Sequence, residues 1–274
     1  MSKIIEIFKK FKYELIWIYL FMLFTELSIL ATPFLLGKSI DGLLGGTYYW
    51  LVLLGLSYFL STFFHYKRMV YDTKVYTKIY NNIVFDFLKT NDTDTSTKVA
   101  RTEMANEIVH VLEGYVHYYI ATIVTIIGSI GFIYYENWKV GILVTFAMIS
   151  IILVGMVYYK KIQQSIRVRN NHNEKKAKSL EEGYEQSILF FKRMRRLNIY
   201  DSTIQGKNWF LIGLIKNIFL FISIILLGIT TIDITIGNII TVYSYVNNFL
   251  ISLLSVPVAI EMYTRLTDVF KRIG

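Results

Sequence analysis

The segment VGILVTFAMISIILVGMVYY, residues 140–159, is a run of twenty residues without a charged side chain. As an α-helix it would extend about 30 Å at ~1.5 Å per residue, which matches the hydrocarbon core of a lipid bilayer. Lys160 and Lys161 follow it directly. We therefore interpret residues 140–159 as a membrane-spanning helix that ends at a charged surface.

Five further apolar runs of 17 to 22 residues have a similar length: residues 15–36, 48–64, 115–135, 210–229 and 239–260. Across the 274 residues, 54% are hydrophobic and 18% are charged, whereas a soluble domain usually has about 25% charged residues. This composition excludes an ordinary soluble enzyme, and the absence of cysteine excludes disulfides and thiolate metal sites. The sequence predicts an all-α polytopic membrane protein, one domain over residues 1–274 with six transmembrane helices.

The connections between these runs alternate between short and long. Residues 65–114 and 160–209 are the two long ones, and both contain apolar residues at helical spacing. We predict two cytoplasmic helical hairpins, with tips near residues 91–97 and 196–204 and a turn from Asn198 to Gly206. Residues 1–14 mix lysine with Ile and Phe, which favours an interfacial elbow helix on the membrane surface.

Positive charge is concentrated on the side of the long connections. Of the 29 Lys and Arg residues, 26 lie in the two long connections and the terminal segments. By the positive-inside rule, both termini and both hairpins are cytoplasmic, in a multi-pass protein of the plasma (inner) membrane. Topology thus accounts for the net charge of +9. We expect membrane lipid as a partner and no nucleic acid.

Several short motifs occur at fixed places in this layout. Pro33, Gly37 and Asp41 form a P-x-x-x-G-x-x-x-D pattern at the outer end of the first run, and Thr235-Ile236-Gly237-Asn238 precedes the last run. Three other segments are STKVARTEMAN at 96–106, with Arg101, EQSILFFKRMRRLNIYD at 185–201 and VFKRI at 269–273. With these motifs, the layout resembles the transmembrane domain of ABC exporters, the six-helix exporter fold.

The resemblance implies a membrane transporter permease of the exporter type, assembled as a homodimer or heterodimer. In that family, the fourth and fifth helices of one copy cross to pack on the other copy. Alternating access of a cavity at the dimer interface is the implied mechanism. The first and last helices of the family help to line the translocation path.

The chain contains no G-x-x-x-x-G-K-[ST] phosphate-binding loop, and Gly45-Gly46 is followed by Thr47. We therefore expect it not to be an enzyme: it has no cofactor of its own, and ATP would act only through a separate nucleotide-binding ATPase subunit. Candidate docking residues at the predicted hairpin tips are Asp92, Asp94, Arg195, Arg196 and Tyr200. A proton-coupled, ATP-independent transporter and a non-transporting membrane interaction or accessory protein remain as alternatives.

Glu26 lies near the middle of the first apolar run. A carboxylate there costs about 2.5–3.5 kcal/mol if it faces lipid while charged. It is therefore a candidate for proton coupling or cation binding in the substrate and ion pathway, with a hydrogen-bonded structural role as the alternative. In the last run, Tyr243, Asn247 and Phe249 are further pathway candidates, although polar contacts between helices would also explain them.

His110, Glu113 and His117 follow a spacing of three and four, which places them on one helical face. Imidazole and carboxylate groups are ligands for zinc and similar ions. Only three ligands are present, however, so a polar patch at the membrane interface is the favoured interpretation. We predict no metal site and retain these residues as a weak candidate.

Overall fold

A computed structural model describes residues 9–89, 102, 106, 109, 113–114, 116–173 and 175–254. This part of the chain is all-α and contains no strand, which confirms the predicted fold class. Its helices are α1 (Lys12–Leu44), α2 (Tyr49–Leu88), α3 (Val116–Glu136), α4 (Trp138–Asn173), α5 (Lys176–Glu181), α6 (Tyr184–Thr230) and α7 (Ile236–Leu254).

Four helices of the described chain are long and apolar enough to cross a membrane: α1, α3 from His117, α4 and α6. Helix α2 extends into a charged segment, and α7 carries Tyr243, Tyr245, Asn247 and Asn248, which lower its hydropathy. Neither of these two helices reaches the same level of length and apolarity. The predicted number of six transmembrane helices is therefore not confirmed.

The chain divides into two compact units. Unit 1 comprises Met1–Trp138 and Leu227–Gly274, and unit 2 comprises Lys139–Leu226. In unit 1, α1 packs against α2, α3 and α7, and α3 also packs against α7. Unit 2 contains most of α4 and α6, together with α5.

Helices α1 and α2 are joined by a tight turn. Gly46 has φ +77°, a backbone conformation that suits glycine, and Thr47 N–H donates to Gly42 O at 2.7 Å. At the other end of this helix pair, apolar side chains form a buried core: Phe11, Leu15, Ile18, Val75, Tyr76, Ile79, Ile83 and Val109.

Helix α2 runs without a break from Tyr49 to Leu88, as predicted for the first leg of the first hairpin. Its apolar stripe packs on α1, and this burial explains why the leg is ordered far beyond the predicted span. The predicted tip at residues 91–97 and the first eight residues of the elbow helix lie outside the described residues.

The second hairpin differs from the prediction. Helix α6 is continuous from Tyr184 to Thr230, so the predicted turn from Asn198 to Gly206 is wrong. The chain reverses instead between α4 and α6, around the short helix α5 and Gly183, which has φ +104°. The polar residues that favoured a turn are accommodated in the helix: Asp201 is buried and paired with Arg169, and Thr203 Oγ1 donates to Ile199 O at 2.7 Å.

Candidate functional site

At the end of unit 1 that the charge distribution predicts to face outwards, Asp41 joins α1 to the turn that precedes α7. Asp41 Oδ1 accepts a hydrogen bond from Gly237 N–H at 2.8 Å, and Asp41 Oδ2 accepts one from Thr235 Oγ1 at 2.6 Å. Thr235 also caps α7, because its hydroxyl oxygen accepts from Asn238 N–H at 3.1 Å. One carboxylate thus fixes the start of α7 to the end of α1. We call this arrangement the outer clasp.

The outer clasp depends on two glycines that bring the backbones of α1 and α7 together. A Cβ atom added to Gly37 would lie 2.5 Å from Gly237 O and closer still to Thr241 Oγ1. A Cβ atom added to Gly237 would lie 2.5 Å from Asp41 Cγ and closer still to Gly37 O. No side chain fits at either position unless the helices separate.

Pro33 lies one turn before Gly37 and cannot donate a backbone hydrogen bond within α1. Side chains of α7 contact the backbone here: Thr241 Oγ1 donates to Pro33 O at 3.2 Å, and Tyr245 OH donates to Leu30 O at 2.8 Å. The Tyr245 ring also stacks on Phe132 of α3, with centroids 4.7 Å apart. The contacts between α1 and α7 therefore extend from the membrane surface towards the middle of the helices.

The sequence motifs around Pro33 and Thr235 were identified separately, about 200 residues apart. The structure shows that they form one contact, in which the residues of the first motif bind those of the second. Spacing within a motif cannot reveal such a pairing. One signal in the sequence could have suggested it: each motif contains a glycine, but only the first contains a carboxylate, Asp41.

Near the middle of α1 and α2, Arg68 of α2 is buried between charged and polar groups. Its Nη1 atom lies 2.8 Å from both ring nitrogens of His117 on α3, and its Nε atom lies 3.4 Å from Asp72 Oδ2. Glu26 of α1 also interacts electrostatically with Arg68. We call Arg68, Asp72, His117 and Glu26 the inner cluster. The sequence analysis counted Arg68 only as a positive charge and missed its central place.

Asp72 lies on α2, eight residues beyond the predicted span. Burial raises the pKa of its carboxyl to about 6; the nearby Arg68 lowers it, and Glu113 raises it further. A single arginine is thus shared between Asp72 and Glu26, with Glu113 near Asp72. With a pKa of about 6, Asp72 can accept a proton near this pH, which removes its repulsion with Glu113.

Glu26 is partly buried on α1, and its electrostatic partner is Arg68. This placement fits both hypotheses for Glu26, the structural role and the role in proton coupling. A carboxylate beside a cation can stabilise the fold, and it can also exchange a proton. The structure does, however, place Glu26 in a network rather than as an isolated acid facing lipid.

The three candidates on α7 lie on two different faces. Tyr243 is 43% exposed, and Asn247, one turn later, is partly buried on the same face. Phe249 is buried at 0% exposure, together with Tyr245. The pathway role of the three residues stays a prediction.

The candidate docking residues are not at the hairpin tip. Arg195, Arg196 and Tyr200 are exposed but lie 11 to 16 residues into α6. At ~1.5 Å per residue this is roughly 16–24 Å from the start of the helix. The residues at the tip are those of α5 and the start of α6, where Leu180 is 51% and Tyr184 is 82% exposed. Asp92 and Asp94 lie outside the described residues.

Of the three residues of the weak metal candidate, only Glu113 and His117 lie within the described residues. His110 lies outside the described residues, Glu113 is exposed, and His117 faces the Arg68 guanidinium, a cation that opposes metal binding at that ring. The described part of the chain contains no group of three His, Asp or Glu side chains that could hold a metal ion.

Four apolar helices of membrane-spanning length in the described chain indicate a polytopic membrane protein. Residues 4–237 match the family model described as the ABC transporter transmembrane region. The chain belongs to this family, and this membership identifies it as a membrane transporter subunit of the ABC class. No curated protein matches the chain.

Proposed function

We propose that the chain is the permease subunit of an exporter-type ABC transporter. Two such domains, in a homodimer or heterodimer, would enclose a cavity that opens alternately to the two sides of the membrane. The family match over residues 4–237 supports the class. The lysine and arginine distribution supports cytoplasmic termini and hairpins in the plasma membrane.

The observation that carries this proposal is the unbroken length of the helices that leave the membrane. Helix α2 continues 24 residues beyond Phe64, and α6 begins 26 residues before Phe210. At ~1.5 Å per residue, these extensions are roughly 35–40 Å long. A continuous helix moves as a rigid element, so a displacement at the cytoplasmic tip reaches the membrane without a hinge to absorb it.

A separate ATPase subunit would supply the energy for this movement. In unit 2 the exposed apolar residues Leu180 and Tyr184 lie at the chain reversal, where a docked subunit would contact α5 and the start of α6. An exposed aromatic side chain at the end of a rigid helix is a typical anchor at an interface. The docking surface is therefore proposed at the reversal rather than at Arg195, Arg196 and Tyr200.

The test compares one substitution at two places on α6. The permease is co-expressed with a lone ATPase subunit, and the ATPase activity of the purified complex is measured. Tyr184→Asp should release the ATPase, whereas Tyr200→Asp, which changes a residue 60% exposed and 16 positions further along, should retain it. Retention by the Tyr184 variant together with release by the Tyr200 variant would place docking at the sequence-predicted position instead.

The inner cluster favours a second candidate function, a proton-coupled transporter. Glu26 and Asp72 share Arg68, and the pKa of Asp72 is raised to about 6 by burial. Transport driven by a pH gradient in reconstituted vesicles, abolished by Glu26→Gln while the dimer persists, would support this function. Transport that requires ATP and survives this substitution would support the ATP-driven permease. Absence of flux under both conditions would favour the accessory protein.

A further inference from the structure

Unit 2 contains a cavity of about 320 Å³ between α4, α5 and α6. This volume is at the lower end of the range of roughly 300–1,000 Å³ that is usual for small-molecule sites. The lining residues are Arg169, Asn173, Lys176, Phe190, Phe191, Met194 and Asn198. Four of these residues, Phe190, Phe191, Met194 and Asn198, belong to the segment 185–201, for which no ligand has been considered so far.

Arg169 is held in place at the cavity wall. Its Nη1 atom donates to Asp201 Oδ2, and Asp201 is buried at 2% exposure, so this carboxylate is fixed inside unit 2. A guanidinium group has five N–H donors in a rigid plane. Pairing with Asp201 therefore orients the plane and leaves further donors for a ligand in the cavity.

The aromatic side chains that line the cavity are also held in place by contacts. Phe190 stacks on His172 with ring centroids 4.4 Å apart, and His172 Nε2–H donates to Phe190 O at 3.1 Å. Phe191 packs edge-on against Phe190, at 5.3 Å between centroids, and remains half exposed. An exposed ring beside a fixed ring offers a surface on which a flat ligand can stack.

The charges in the lining have one sign. Arg169 and Lys176 are cations, the two asparagines are neutral hydrogen-bonding groups, and the lining contains no acid. We propose that this cavity binds a small aromatic anion, with its phosphate or carboxylate group between Arg169 and Lys176 and its ring against Phe191. Because the site includes α5, the bound ligand would connect α4, α5 and α6 at the chain reversal.

The test measures binding to the purified full chain in detergent by equilibrium dialysis. The probes are phenyl phosphate, benzoate, inorganic phosphate and the neutral benzyl alcohol. Phenyl phosphate or benzoate should bind with one-to-one saturation, and the better of the two identifies the acidic group. Inorganic phosphate and benzyl alcohol should each bind at least roughly tenfold more weakly, since each lacks one of the two recognised features.

Two lining variants and one matched control decide whether the binding is at this cavity. Lys176→Gln and Phe191→Leu should each weaken binding of the better probe roughly tenfold, because they remove the exposed cation and the stacking ring. Lys175→Gln, an exposed neighbour outside the lining, should bind as the unmodified chain does. The proposal is overturned by equal effects of the two lysine substitutions, by benzyl alcohol binding as tightly as the anions, or by the absence of saturable binding.

Discussion

The outer clasp and the inner cluster both hold α1 in unit 1, but to different helices and by different physical means: the clasp joins α1 to α7, and the cluster joins α1 to α2 and α3. The outer clasp consists of two glycines in backbone contact and one partly buried carboxylate with neutral donors. The inner cluster consists of a buried arginine surrounded by acids and a histidine. Backbone packing and hydrogen bonds therefore hold the outer clasp, whereas charge and protonation dominate in the inner cluster.

The largest effect is expected from removing the central cation of the inner cluster. Arg68→Met leaves Asp72 and Glu26 without their shared partner, and breaking a buried ion pair from one side costs about 3–5 kcal/mol. Thermal unfolding in detergent, followed by tryptophan fluorescence, measures the loss. Lys67→Met, at an exposed neighbour on the same helix, is the control. Equal unfolding temperatures for the two variants would show that Arg68 contributes no more than a surface lysine.

The inner cluster should contribute a pH dependence to the stability of the chain. Because the pKa of Asp72 is raised from 3.8 to about 6 in the folded chain, its contribution to stability is complete below about pH 4 and is lost as the pH rises through 6. The difference corresponds to at most roughly 3 kcal/mol. The stability difference between the unmodified chain and Asp72→Asn should therefore change between pH 4 and 7. A constant difference over this range would contradict the assignment.

A substitution at the outer clasp should act through geometry alone. Gly37→Ala places a methyl group against Gly237 O and Thr241 Oγ1, and such overpacking typically costs about 1–3 kcal/mol. Gly55→Ala is the matched control on α2, because a methyl group there meets no atom within 4 Å. The loss for Gly37→Ala should be the same at pH 5 and pH 7. A Gly37 variant as stable as the Gly55 variant would show that the two helices separate freely.

The smallest effect is expected at the carboxylate of the outer clasp. Asp41→Asn keeps an oxygen for Gly237 N–H but replaces the other acceptor, so about 1 kcal/mol should be lost. Asp233→Asn, at an exposed residue in the turn before α7, is the control. Unfolding temperatures measured in parallel decide the comparison, and an Asp41 variant indistinguishable from the Asp233 variant would mean that the glycines alone hold this end.

The sequence predicted the parts of the fold that depend on local periodicity. The stripe containing Val75, Ile79 and Ile83 predicted the long second helix, because those side chains pack on α1. The predicted turn at Asn198–Gly206 is wrong because the residues there favour a turn only by their local preferences. Asp201 is instead paired with Arg169, a contact over 32 residues that no local pattern contains.

The same limit explains which site residues were found. Glu26 was identified because an acid in an apolar run is costly wherever it lies. Arg68 was missed because one cation in a basic segment carries no local signal; only the approach of α1 and α3 makes it central. The sequence grouped Phe249 with Tyr243 and Asn247, and the structure adds that Phe249 is buried whereas Tyr243 is exposed.

The glycine pair of the outer clasp also has a mechanical consequence. Where two backbones touch without intervening side chains, the spacing of the helices is set by main-chain atoms that every sequence shares, and repacking of neighbouring rotamers cannot adjust it. Gly37 and Gly237 thus act as a fulcrum: backbone contact keeps α1 and α7 from coming closer there, and the hydrogen bonds of Asp41 oppose their separation. Any separation of α1 and α7 must therefore increase with distance from the fulcrum. The largest displacements are expected at the ends of the two helices that lie farthest from it.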